Sequence, residues 1–221
     1  MPTSTVEDYL KCILLAEQEA PDRPVSTGQI AAALEVAPGT VTAMLKTLAN
    51  SGLVSYEPYS GVSLTGSGRQ LAMHVLRRHR LVELFLVRIM GLDWAEVHEE
   101  AELLEHAVSD RIIERMDAML GGPVMDPHGD PIPTAGGEVE HRELQSLLDC
   151  PMGSWLTVAR VTDQAVDFLQ LVETERLMPG CRLRVTQRDE STDILRLERP
   201  EVGPLALGRW AASKILVSEE T

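Results

Sequence analysis

Aromatic residues are scarce in this chain: Phe, Trp and Tyr make up 4% of its 221 residues. A core without them must be packed with Leu, Val, Ile and Ala, and the 44% hydrophobic content supplies these, as in helix-rich proteins. Cysteine is scarce too. Cys12, Cys150 and Cys181 are odd in number and far apart. That excludes a disulfide framework and a thiolate zinc motif, and it fits a reducing compartment. Apolar stretches stay well short of the roughly 18 residues a membrane-spanning helix needs. The opening MPTSTVEDYLKCILLAEQEA has acids on both sides of its short apolar run, so it is not a signal peptide. A cytoplasmic protein with no membrane partner is the expectation.

Positive charge is missing from one region in particular. The net charge is −14, which for the chain as a whole argues against a nucleic-acid partner. Residues 1–80, however, hold seven acids and seven bases, whereas residues 81–120 hold ten acids against three Arg. The first segment is therefore neutral, and it can meet phosphates without the repulsion that the average implies.

Hydrophobic spacing near 3.6 predicts a helix over residues 5–20, through Val6, Leu10, Ile13 and Leu14. VSTGQIAAALEV gives a second, short helix with Ser26 or Thr27 as N-cap, and APGTVTAMLKTLANSG a third, with Pro38 in its first turn. LVSYEPYSGVSLTGSGRQLA then reads as a β-hairpin around a Pro/Ser/Gly turn, with a new helix starting at Thr65. Helix, helix–turn–helix and hairpin in that order make a winged helix-turn-helix. Residues 66–120 read as two long helices that break between Gly91 and Asp93, and residues 121–140 as a loop dense in Gly and Pro. From Trp155 onward, β-prone runs surround a helical VDFLQLVETERL, giving about 70 residues of the size of a small SH3-like barrel. The fold class is α+β, with boundaries at 1–73, 74–141 and 150–221.

The chemistry concentrates in HEEAELLEHAVSD, residues 98–110. At about 100° per residue, His98, Glu102, Glu105 and His106 fall within roughly a quarter-turn of one helix. Val97, Ala101, Leu104 and Val108 form the apolar stripe beside them. Glu102 and Glu105 repel across a turn, which costs about 0.2–0.5 kcal/mol. A solvated acidic face with two incidental histidines is one explanation, and a bound cation is the other. In RHRLVE, His79 and Glu83 are also i and i+4, and paired helices offering His and Glu build metal sites in helical bundles. Imidazole and carboxylate without thiolate suit Mn²⁺, Fe²⁺, Co²⁺ or Zn²⁺. His74, His128 and His141 lack such company and read as surface or loop residues. A metallohydrolase is disfavoured because HEEAE lacks the second His of an HExxH motif, and a regulator answering to an organic ligand would leave the His/Glu geometry unexplained.

EDYLKCI (7–13), PGTVTAMLKTLANSGLV (38–54), LTGSGRQLA (64–72), RRHRLVELFL (77–86), GLDWAEVHEEAELLEHAVSD (91–110) and DPHGDPIP (126–133) together resemble the DtxR family of metal-dependent repressors, along essentially the whole chain. The resemblance implies a homodimeric, DNA-binding regulator and no enzyme. Its domains would be a winged helix, a helical dimerisation and metal-binding domain, and an SH3-like (FeoA-like) tail. It places an activating metal site on Asp8, Glu102, Glu105 and His106. An ancillary site falls on His79, Glu83 and His98, with Gln164 and Asp167 of the tail in swapped order relative to the family's carboxylate and amide. Iron-sensing members carry sulfur side chains where this chain has Asp8 and Glu102. The hard carboxylates here resemble the manganese branch, with Fe(2+) as the alternative cofactor to Mn(2+). Asp8 belongs to the first segment and the other activating donors to the second, so one cation would pin the two together. Lys11, where that branch often has an acid, is expected to face solvent or DNA. Contacts to double-stranded operator DNA are expected from Thr27, Gly39, Thr40, Thr42, Lys46 and Tyr59, with no Arg or Asn among them for bidentate base reading. A Mn(II)-activated repressor of metal-uptake genes is the function this reading implies.

Overall fold

A computed structural model describes residues 3–21, 23–140, 142–200 and 202–219. Backbone contacts divide the chain into two units: residues 1–79 with 133–138, and residues 80–132 with 139–221.

The first unit opens with α1 (Ser4–Glu19), where Thr3 caps the free amide of Val6. α2 (Thr27–Ala33) begins with a full capping box: Ser26, not Thr27, is the cap, and Gln29 answers it. α3 (Pro38–Asn50) starts on Pro38, whose missing N–H is one the first turn would leave unbonded in any case. Leu10, Ile13, Leu14, Ile30, Val41, Leu45 and Leu48 converge from the three helices into one core. The wing is the antiparallel pair β1 (Val54–Glu57) and β2 (Gly61–Leu64), in register Val54↔Leu64 to Glu57↔Gly61. Val25 adds a bridge to Val62. α4 (Gly66–Phe85) follows. Lys11 departs from expectation: it is only 7% exposed and so faces neither solvent nor DNA. Its place on the helix explains this, because it shares a side of α1 with Leu14 and with Glu7, also buried, one turn earlier.

In the second unit the end of α4 widens into a π-helical turn, Leu86–Met90, which stops at Gly91 in the left-handed region (φ 73°). Such turns recur at functional sites. One helix was expected from Asp93 to Gly121, and the structure makes two, α5 (Val97–Glu105) and α6 (Asp110–Leu120). Ser109 is the reason: it takes an extended backbone (ψ 154°) as N-cap, and Asp110 favours the new helix start. His106 is thus the C-cap of α5 rather than a residue within it. Leu81, Val82, Leu84, Val97, Ala101 and Ile113 form the core of this helical part.

The rest of the unit comprises β3 (Gln145–Ser146), β4 (Leu156–Val161), α7 (Val166–Thr174), β5 (Arg182–Asp189), β6 (Ile194–Arg199), β7 (Gly203–Gly208), α8 (Arg209–Ser213) and β8 (Ile215–Glu219). The strands pair antiparallel in the order β3-β8-β4-β5-β6-β7. Alternate residues (Leu156, Val158, Leu183, Val185, Leu195, Leu197, Ile215, Val217) fill its core. Register shifts at Val158/Arg160 and Val185/Gln187 bend the sheet. Among the described residues no pairing joins β3 to β7, so the expected barrel is an open sheet. Alternation in a sequence specifies which face is buried and is silent on closure.

The loop before this sheet is seated against β4, with the Val161 amide donating to the His128 carbonyl at 2.9 Å. Gly129 makes the fit possible. It holds φ at 86°, and a Cβ there would lie 2.0 Å from the Ala159 carbonyl oxygen. Gly129→Ala should therefore destabilise the protein by about 2–4 kcal/mol, read as a lowered urea midpoint. An unchanged midpoint would show that the loop is free to lift away.

Candidate metal centre

Glu83 anchors the acidic chemistry of the second unit. It sits one turn after His79 on α4, and both are buried, Glu83 at 1% exposure. His98, in the first turn of α5, places Nδ1 3.0 Å from Glu83 Oε1 and Nε2 3.6 Å from Glu102 Oε1. His98 itself is half-exposed, with 45% of its side chain open to solvent. Farther along α5, Glu105 is 1% exposed and lies 3.3 Å from Nε2 of His106. A solvated acidic face does not bury its carboxylates, so burial of Glu105 weighs against that reading of the stripe.

The loop contributes a group that the sequence reading missed. One ligand atom from each of Glu83, Asp126 and His128 falls within 4.8 Å of the others, and all three residues are buried. Asp126 Oδ1 closes a tight turn by accepting the amides of His128 (2.8 Å) and Asp130 (2.9 Å). Its Oδ2 has no hydrogen-bond partner, and the nearest cation is Arg80, Nε at 3.7 Å. His128, expected as a surface or loop residue, does lie in a loop but is fully buried, its ring tilted against Trp94 with centroids 5.2 Å apart. Its Nε2 lies 2.9 Å from the Trp94 carbonyl oxygen. A carbonyl only accepts, so Nε2 carries the proton and Nδ1 keeps a bare lone pair, buried and without a partner. A histidine fixed by one nitrogen with the other left bare is the arrangement of a metal ligand.

Burial pushes the Asp126 carboxyl well above the usual carboxylate range, reinforced by the charges of Asp130 and Glu83, while Arg80 opposes. Asp130 is better compensated: Arg160 pairs with it, Arg80 Nη2 lies 3.4 Å away, and the Gln164 amide donates to it at 3.0 Å. The loop signal was present in DPHGDP, two Asp-Pro steps around His-Gly, which is too rigid for an ordinary surface loop.

The other expected residues are distributed as follows. Gln164 meets Asp130, and Asp167 stands exposed in the first turn of α7, outside the His/Cys/Asp/Glu groupings found among the described residues. His74 is exposed, as expected, and His141 lies outside the described residues. In the first unit, Asp8 is partly buried on α1. Gly39, Thr40 and Lys46 are exposed on α3, whereas Thr27 and Thr42 are partly buried. Thr42 donates its hydroxyl proton to the Pro38 carbonyl at 3.0 Å, which leaves it an acceptor. Tyr59 stands fully exposed at the wing tip with φ 68°. The three cysteines are free thiols.

Asp126 carries a pH prediction. The folded protein holds its proton more tightly than the unfolded chain does. The stability from this group is therefore complete below the ordinary carboxylate value near ~4 and is lost as pH climbs through the raised value. In chelator, the urea midpoint of the metal-free protein should fall as pH rises above the ordinary carboxylate range, and Asp126→Asn should flatten that fall. An equally steep fall in the variant would place the cause elsewhere.

Comparison with known proteins agrees with this architecture. Residues 1–62 match the family model described as iron dependent repressor, N-terminal DNA binding domain. Residues 65–134 match that described as iron dependent repressor, metal binding and dimerisation domain. The iron-dependent repressor IdeR of Mycobacterium leprae is 32% identical over 193 residues, 82% of this chain and 83% of that one. The HTH-type transcriptional regulator MntR of Shouchella clausii is 38% identical over 120 residues, 54% of this chain and 82% of that one. A solved manganese-dependent transcriptional repressor in complex with manganese superposes with a TM-score of 0.89 at 41% identity, covering 97% of this chain and 100% of that one. The chain belongs to the DtxR family: it is a metal-dependent, DNA-binding transcriptional repressor, and the family is not one of enzymes.

Proposed function

We propose that this repressor is activated by Mn²⁺ and acts in the cytoplasm on operators of metal-uptake genes. The donor set carries the reading: Asp8, Glu102, Glu105 and His106 offer three hard carboxylates and one imidazole, with no sulfur. Similarity to a manganese-dependent repressor supports it. Similarity to the iron-dependent IdeR proteins favours Fe²⁺ as the second reading, because oxygen donors accept both ions.

Two groups of residues would hold metal. The activating donors are Asp8, Glu102, Glu105 and His106. The ancillary donors are His79, Glu83 and His98, joined by the buried Asp126 and His128. The residues fit a cation, since Asp126 Oδ2 and His128 Nδ1 are buried polar atoms without partners. Gln164 and Asp167 fit less well, one being engaged with Asp130 and the other exposed. The metal supplies positive charge that the 81–120 segment lacks, and the rest of the work falls to the chain. Holding Asp8 fixes α1, whose Leu10, Ile13 and Leu14 share one core with Leu45 and Leu48 of the recognition helix α3. Neutralising the acids also lowers the repulsion that DNA phosphates meet.

On α3, Thr40 and Lys46 are the exposed groups for DNA, with Gly39 allowing close backbone approach and Thr42 accepting. Thr27 opens α2 and Tyr59 leads the wing. So few base-reading groups make the shape of the duplex a large part of specificity and require two copies on one site. Leu103 on α5, with Ile112 and Met119 seven residues apart on one side of α6, are exposed apolar side chains suited to a homodimer face.

The test uses a duplex selected from a random pool by the wild-type protein with Mn²⁺, and follows binding under anaerobic conditions as each metal is titrated. Binding should appear at lower free Mn²⁺ than free Fe²⁺, and His106→Ala should fold and dimerise yet lose the response. A lower Fe²⁺ threshold would overturn the manganese assignment alone. A fully responsive His106→Ala would overturn the site.

A further inference from the structure

Glu17 stands near the end of α1 opposite to Asp8. Nine residues separate them, about 13 Å along the axis and about 180° around it, so the two carboxylates leave opposite faces of one helix. The face of Glu17 meets the wing. Its Oε1 accepts the backbone amide of Leu64, the last residue of β2, at 2.8 Å in a partly buried setting. Its Oε2 pairs with Arg69 in the first turn of α4. The Glu17 side chain is 12% exposed against 47% for Arg69, so the carboxylate is the enclosed member and the guanidinium covers it.

Leu64 is where the hairpin joins the body of the unit, paired with Val54 at the open end of the ladder. The next residue, Thr65, donates its hydroxyl to the Gly52 carbonyl at 2.7 Å and accepts the Gly68 amide at 3.1 Å. Two side chains thus tie the base of the wing, beside the backbone bridge of Val25 to Val62. Thr65 fastens it to the turn after α3, and Glu17 fastens it to the helix that carries Asp8. A carboxylate suits the second tie because it accepts from a neutral amide and a guanidinium at once. A glutamine there keeps an oxygen for Leu64 and turns an amide donor toward Arg69.

We propose that Glu17 is a positioning residue that couples the metal-held helix to the wing. It makes α1, β2 and the start of α4 one piece, so that fixing Asp8 also fixes where Tyr59 meets DNA. This rests on the reading of Asp8 as a donor to the activating metal. Because Glu17 lies on the opposite face of α1, it serves the coupling without serving the metal site.

The experiment measures Mn²⁺ affinity of the full-length protein by electron paramagnetic resonance of free Mn²⁺, with and without the selected duplex. Metal and DNA binding are linked reciprocally, so in the wild type the duplex should raise Mn²⁺ affinity by about tenfold or more. Glu17→Ala and the milder Glu17→Gln should keep the DNA-free Mn²⁺ affinity within about twofold and cut the duplex-induced increase by about fivefold or more. Arg69→Ala, which leaves the Leu64 bond in place, should cut it less. Thermal unfolding of each variant identifies a merely structural role, which would lower the melting temperature and leave the increase intact. That result, or loss of Mn²⁺ affinity without DNA, would overturn the proposal. A wild-type protein whose Mn²⁺ affinity ignores the duplex would instead overturn the reading of Asp8 on which it rests.

Discussion

Like charge crowded out of water governs the second unit. Glu83, Glu105, Asp126 and Asp130 are all buried there, and the guanidinium partners, buried Arg80 and partly exposed Arg160, are directed mainly at Asp130. Burying an unpaired carboxylate is among the most costly things a fold can do, and chains usually avoid it or protonate the group. Asp126 leans to the latter in the metal-free protein, its carboxyl pushed up by burial and by its acidic neighbours. A divalent cation placed among these acids would add an attraction to each carboxylate that outweighs their mutual repulsion. As proposed above, the same side chains that repel would then serve as a set of donors, which would favour the metal-loaded form.

DNA binding lives in the first unit, where the charge is balanced and the core is ordinary. The Leu/Ile/Val interior of α1, α2 and α3 makes the recognition helix and the first helix one rigid body, so control of α1 is control of α3. The wing joins the same body through Glu17 and Thr65. A repressor built this way needs no change in its reading head. In the mechanism proposed above it needs only α1 held or released, and a cation bound by Asp8 would do that.

Much of this was legible in the sequence, because helical spacing and capping are local. The order of the winged helix-turn-helix follows from Ser26, Pro38, Gly52 and the hairpin residues, and the acidic stripe of α5 follows from the period of its acids. What escaped depends on contacts made at a distance. Lys11 was placed outside because charge was weighed without its position beside Glu7 and Leu14. The break at Ser109 was missed because a continuous apolar pattern outweighed a single cap. The burial of His128 escaped because nothing local says that Gly129 lets its loop lie against β4 and that the Trp94 carbonyl fixes its ring. Closure of the tail sheet was over-read from alternation alone.

The most direct measurement is anomalous diffraction at the manganese edge from crystals of the full-length protein grown with Mn²⁺. The account predicts manganese within bonding distance of Glu105 and His106, and a second ion at Glu83 with Asp126 or His128 beside it. Manganese bound elsewhere, with these carboxylates and imidazoles still paired among themselves, would contradict it.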